Sequence, residues 1–380
     1  MSGYLNTTRV LNGTELSNCS SPDSLSAEQI GKTFAYCLIL IVSLTGNSFI
    51  GIIVYKTKTM RKTINFMILN MAMSDLLFPI FALPVSLAEL FADSWLIRGV
   101  PGEALCKLVY VLQDISTVVS VQSMVLITVD RFGAVVLPMR SPLISSKLCL
   151  VFIPATWIVA SAVFTPYLFA LKLVENRGGL TCALQWKEAF GDSSSEVHFI
   201  LAVSAVFLYI PFASMLILYS IIIIKLKTKK LPGEHSLKAV KRHTKRHRNV
   251  LKMAVAIVLG FAICWTPLSV LNVLYLIVWD TSTALPCSIL HYGFVASFIA
   301  RANCAVNPCI CFTFSENYRR GLKSLLCCFG SAGDSRNSRK SHTELLHSVK
   351  NKDRLVYKTT HKNYAVSGQR PNHVVIISSV

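Results

Sequence analysis

Charge is what this chain has least of. Asp, Glu, Lys and Arg make up 15% of its 380 residues, against about 25% in soluble domains. Acids are the scarcest, 19 Asp and Glu against 38 Lys and Arg. No charged residue occurs in 34–55, 148–171, 199–224 or 253–279, and 64–88, 108–129 and 287–312 hold one each: Asp75, Asp114 and Arg301. These seven runs exclude a string of soluble domains. A hydrocarbon layer about 30 Å thick needs about 20 apolar residues per spanning helix. The runs are too long for barrel strands, and helices satisfy their own backbone groups in lipid. The expected fold is therefore all-α, an integral membrane bundle of seven helices. Other absences narrow the function. The first residues are polar and show no cleavable signal pattern. No inverted repeat marks a transporter. No metal cluster or nucleophile–base pair marks an enzyme.

The charge that is present is sorted by side. Thirty Lys and Arg fall in the connections after the first, third and fifth runs, the C-terminal tail and their flanks, and seven fall in the N-terminal segment and the other connections. Arg301 is the remaining one. The positive-inside rule then places the basic side in the cytoplasm and the N-terminus outside, at the plasma membrane. The short loop with Lys56, Lys58, Arg61 and Lys62 weighs most. The net charge of +19 thus speaks for anionic lipid and a cytosolic partner, not for nucleic acid. The outer side holds 11 acids against seven bases, a weak preference for basic ligands.

The chain divides into residues 1–32, a polar outer segment, residues 33–328, the bundle, and residues 329–380, a polar tail expected to be disordered. The outer segment carries three sequons, at Asn6, Asn12 and Asn18. The run Lys227 to Arg248 reads as a solvated extension of a helix and as a candidate contact for a cytosolic partner. Around Ser315 to Leu326, Phe314, Leu322, Leu325 and Leu326 alternate with Arg319, Arg320 and Lys323. That pattern fits a short amphipathic eighth helix on the inner membrane surface. Cys327 and Cys328 follow as palmitoylation candidates. Four cysteines lie on the outer side, Cys19, Cys106, Cys182 and Cys287, where oxidation sustains disulfides.

Polar and proline residues inside the runs are more specific. They are Gly46-Asn47 in the first, Leu69-Asn70 to Ser74-Asp75 in the second, and Cys106 to Asp130-Arg131-Phe132 in the third. Trp157, Pro211 with Tyr219, Phe261 to Trp265-Thr266-Pro267, and Asn303 to Asn307-Pro308 complete the set. In this order and spacing they resemble the rhodopsin-like (class A) G-protein-coupled receptors across all seven spans. Two positions depart from the pattern. Phe132 stands where a tyrosine is usual and loses only a hydroxyl. Cys311 stands where another tyrosine is usual, and a thiol is a poor hydrogen-bonder.

The resemblance implies a receptor that binds an extracellular ligand and activates a heterotrimeric G protein, with arrestin meeting the phosphorylated tail. It implies a Cys106–Cys182 disulfide and allows a second, Cys19–Cys287. It implies a sodium ion as modulator at Asp75 and Ser120, ringed by Asn303, Asn307 and Trp265. Asp130, Arg131 and Tyr219 would serve G-protein coupling. His247, where relatives carry an acid, leaves a second lock on Arg131 absent. Pro211, Val121, Phe261, Trp265 and Pro267, with Asn307 and Pro308, would form the activation switch. The ligand pocket would include Gln113, Asp114, Glu89, Asn272 and Arg301. Arg301 occupies the place of the opsin Schiff-base lysine, and a guanidinium cannot serve as that amine. Gln113 stands where amine receptors carry an aspartate, and Asp114 is turned from it by about 100°. Gln113 is similar to receptors for RFamide-like peptides, neuropeptide Y and orexin, so a neuropeptide ligand is expected. A small-molecule or lipid ligand, and a ligand-binding decoy without coupling, stay open. Three partners compete for Arg301: Gln113 with water, Asp114, or a group from the ligand.

Overall fold

The computed structural model describes residues 22–92, 94–137, 143–176, 179–228, 237–278 and 287–331. Seven helices in it are long and apolar enough to cross a membrane. They are α1 (Pro22–Lys56), α2 (Thr63–Glu89), α3 (Gly99–Val136), α4 (Ser146–Ala170), α5 (Glu196–Thr228), α6 (Leu237–Val278) and α7 (Cys287–Phe314). An eighth, α8 (Glu316–Ser331), follows after Ser315. Their outward faces carry apolar side chains: Ile41 is 60% exposed and Ile263 68%. Such an exterior suits hydrocarbon and would be unstable in water.

Helix ends depart from the apolar runs for physical reasons. α1 begins at Pro22, inside the segment read as a polar leader. α3 begins at Gly99, nine residues before its apolar run, with a φ of +68° that favours glycine. α6 begins at Leu237, so the basic run continues the helix backbone beyond the apolar span, as the solvated reading expected. Ser145 and Ser195 cap α4 and α5, accepting the N–H groups of Leu148 and His198. Two π turns interrupt the spans, Phe78–Ala82 in α2 at Pro79 and Ala205–Tyr209 in α5 just before Pro211. A proline removes a ladder hydrogen bond, and the wider turn absorbs the defect.

The expectation of an all-α chain needs one addition. Between α4 and α5 lies an antiparallel hairpin of β1 (Leu171–Asn176) and β2 (Gly179–Leu184). Cys182 on β2 is disulfide-bonded to Cys106 on α3, with Cα atoms 5.7 Å apart. Trp95 N–H donates to the Leu180 carbonyl at 2.6 Å, so the loop between α2 and α3 also holds the hairpin. Trp95, Cys106, Leu171, Cys182 and Trp186 share a core with Ile115, Phe164 and Tyr167. A second core joins α1, α2 and α7 through Tyr36, Ile39, Phe78, Leu83 and Cys304. At the other end, Tyr318 of α8 is buried, its hydroxyl 3.4 Å from the Asn65 side-chain oxygen. Burial pushes that phenol well above its ordinary pKa, so it stays a neutral donor.

Candidate functional site

Asp75 sits midway along α2 and is 2% exposed. A carboxyl there needs partners, and α3 and α7 supply them. Ser120 Oγ donates to Asp75 Oδ1 at 3.0 Å, and Asn307 Nδ2 donates to Oδ2 at 2.7 Å. The shell is wider than the sequence motifs indicate. Ser74 Oγ and Ser120 Oγ are 2.9 Å apart, and Ser116 Oγ donates to the Ser74 carbonyl at 2.7 Å. Ser116, Ser120 and Ser123 lie on one face of α3 at helical spacing, a signal legible in the sequence but not used.

On α1, Tyr36, Ser43 and Asn47 form another polar stripe, spaced seven and four residues apart. Ser43 Oγ and Asn47 Nδ2 both donate to the Cys304 carbonyl on α7, at 3.2 and 2.9 Å. The neighbouring Gly46 sits under Pro308: a Cβ on it would lie 2.7 Å from the proline Cβ. Two helices, α1 and α2, thus meet α7 at its Asn-Pro motif.

A cavity of about 40 Å³ opens above Asp75 and Ser120, lined also by Gln113, Trp265, Arg301 and Asn303. The structure therefore joins two sites that the sequence treats separately, the candidate ion site and the candidate ligand pocket. Asn303 Oδ1, Asn307 Oδ1 and Trp265 Nε1 are buried there without a protein hydrogen-bond partner. Amide oxygens with spare lone pairs, a carboxylate and a hydroxyl are hard oxygen donors of the kind a small hard cation takes. The residues present fit a sodium ion.

Of the other pocket residues, Gln113 and Arg301 line the cavity, whereas Asp114, Glu89 and Asn272 do not. Asp114, turned about 100° from Gln113 along α3, is 1% exposed. Glu89 is exposed at the end of α2, and Asn272 lies half-buried two turns along α6 from Trp265. For Arg301 the structure supplies a partner outside the three weighed from sequence. Its Nη1 donates to the Tyr36 hydroxyl of α1 at 2.7 Å, and its Cζ lies 5.8 Å from the Tyr36 ring centre.

Below Trp265, aromatic rings stack down α6. Trp265 and Phe261 are 5.6 Å apart and nearly parallel, and Phe261 packs on Phe212 at 5.3 Å. Phe212 adjoins Pro211 and was not singled out from sequence. Phe261 and Val121 are buried. Pro267 lies inside α6 nearly two turns from Phe261, and its carbonyl accepts from Tyr292 of α7 at 3.0 Å. At the end of α3 far from Cys106, Arg131 Nε donates to Asp130 Oδ2 at 3.1 Å. Thr128 Oγ1 lies 3.2 Å from the buried Tyr219 hydroxyl, so that tyrosine is tied to α3. Cys311, in the place of a second tyrosine, is fully buried in α7. Cys327 is exposed. Asn6, Asn12, Asn18 and Cys19, and the side chains of His247, Cys287 and Cys328, lie outside the described residues.

Comparison with known proteins matches the family description "7 transmembrane receptor (rhodopsin family)" over residues 46–310. The chain is similar to the QRFP-like peptide receptor of Branchiostoma floridae, 30% identical over 304 residues, 77% of this chain and 76% of that one. The RYamide receptor of Drosophila melanogaster is 27% identical over 340 residues, 84% and 72% of the two chains. The Substance-K receptor of Homo sapiens is 27% identical over 297 residues, 77% and 72%.

Proposed function

The chain belongs to the rhodopsin family of seven-transmembrane receptors, and from that premise we propose that it binds an extracellular peptide and activates a heterotrimeric G protein. Its similarity to receptors named for QRFP-like peptides and RYamide supports the peptide ligand. The observation that carries the mechanism is the single cavity running from Gln113 and Arg301 to Asp75. Whatever fills its outer end touches Trp265, and Trp265 rests on the Phe261–Phe212 stack. A push there is taken up at Pro267, where α6 bends at low cost. Outward movement of the far end of α6 opens the cytoplasmic face, and Arg131 leaves Asp130 to meet the G protein. The bundle is then a two-state element, and the ligand biases it by binding one state more tightly.

Asp75, Ser120, Asn303 and Asn307 would hold a sodium ion, which supplies a positive charge beside the carboxylate. The protein side chains tie α2, α3 and α7 together in the closed state. The N-terminus faces outward at the plasma membrane, with glycans on Asn6, Asn12 and Asn18. Cys327 and Cys328 accept acyl chains beside α8 at the lipid surface, and arrestin binds the phosphorylated tail. The test is a neuropeptide library applied to cells expressing the full chain, with G-protein activation as the readout. At least one peptide should signal in receptor cells and in no control. Normal surface expression with no response to any peptide would overturn the peptide reading.

A further inference from the structure

Arg301 has a place in the cavity but no place in the mechanism above. It lines the same lumen as Gln113. Among the described residues its guanidinium donates to the Tyr36 hydroxyl, a neutral group that satisfies one N–H and no charge. The ion pairs among the described residues are Arg98–Glu175, Lys107–Glu103, Arg131–Asp130, Lys172–Glu188 and Arg320–Glu316, and none includes Arg301. Asp75, at the cavity floor, already accepts through both its oxygens. Glu89 attracts Arg301 electrostatically but is exposed and outside ion-pair distance. A guanidinium is permanently charged, and its planar fork of donors matches two oxygens of one acceptor. Tyr36 is buried and packs against Phe294 and Phe298, so it anchors one N–H of the fork, and Arg301 still lines the cavity.

We propose that this cavity takes a carboxylate, clamped by Arg301 with Gln113 beside it. The inference rests on the receptor reading and deepens it by naming the group that enters first. The chemistry has two sources, the free C-terminus of a peptide or a small carboxylic acid. The outer face, with 11 acids against seven bases, favours a ligand with a basic body. Such a ligand inserts its carboxylate end and keeps its basic end outside. A receptor built this way discriminates against an amidated terminus, because a neutral amide leaves the guanidinium charge uncompensated.

The purified full chain tests this by thermal unfolding with two matched probes, N-acetylphenylalanine and N-acetylphenylalaninamide, at equal ionic strength. Their aromatic ring suits the Trp265, Leu268 and Phe78 lining. The acid should raise the midpoint by about 2 °C at several times its Kd, and the amide should not. Arg301→Gln should abolish the acid's effect, and Arg301→Lys, which keeps the charge but not the fork, should retain part of it. Equal shifts from acid and amide, zero included, overturn the proposal, as does an acid shift undiminished in Arg301→Gln. If Arg301→Gln does not fold, an undiminished acid shift in Arg301→Lys overturns the clamp. In cells, peptides synthesised both as free acids and as amides separate the sources. Free acids at least tenfold more potent point to a peptide terminus. If no peptide signals while the acid probe still acts through Arg301, the carboxylate site stands and the peptide reading falls.

Discussion

Single residues decide whether the helices close on one another. Gly46 and Gly31 both lie in α1, yet their surroundings are opposite. A Cβ on Gly46 meets Pro308 at 2.7 Å, while a Cβ on Gly31 meets nothing within 4 Å. Gly46→Ala should therefore lower stability by about 1–3 kcal/mol through overpacking. Gly31→Ala should be neutral or raise it by about 0.5–1 kcal/mol through helix propensity. Thermal midpoints of the two purified variants check the sign of each. Asp75 is the second residue-scale test. Asp75→Asn removes the formal charge between Ser120 and Asn307. Wild type should unfold at a higher temperature in sodium than in potassium, and the variant should show no difference. An equal sodium effect in both would place the ion elsewhere.

Between elements, the strongest single tie on the outer side is covalent. The Cys106–Cys182 bond fastens β2 to the start of α3 across a separation of 76 residues. Without it the hairpin is held by the Trp95–Leu180 hydrogen bond and by core packing. Removal of a native disulfide typically costs about 2–5 kcal/mol. Ala at either cysteine should abolish surface expression or ligand binding, read by antibody staining of intact cells and by binding. Normal binding by both single variants would refute the tie's importance. The α1–α7 contact is tied differently, by Ser43 and Asn47 at the Cys304 carbonyl and by Tyr36 at Arg301. Elements that the apolar runs announced formed as expected, because about 20 apolar residues have one stable arrangement in lipid. The hairpin was not legible in advance. Its strands carry Lys172, Glu175 and Thr181 among apolar residues, and the disulfide, the loop before α3 and core packing hold the paired segment in place.

At the scale of the whole molecule, the proposed function makes the Asp130–Arg131 pair a restraint on the closed state. Asp130→Asn weakens that hold and leaves Arg131 intact. A bias of about 1 kcal/mol toward the open state would raise its population by a factor of about five. Ligand-free G-protein activation in cells, normalised to surface receptor, should rise by about that factor. No rise, with normal expression, would mean that the pair does not restrain the resting state.

By itself the sequence determined the class of solvent, the number of spans and the family. Those follow from where charge is absent and from polar residues at set helical spacings, both local properties. It also placed Asp75, Ser120, Asn307 and Arg131 at their stations, because their motifs carry them. Only the tertiary structure decided who touches whom across helices. Tyr36 and Arg301 are 265 residues apart, and their hydrogen bond depends on the rotation of α1 against α7. The rotation of α3 likewise sets Gln113 in the cavity lining and leaves Asp114, one residue along, buried and outside that lining. A helical period shows which residues share a face. Packing alone selects the face that looks inward.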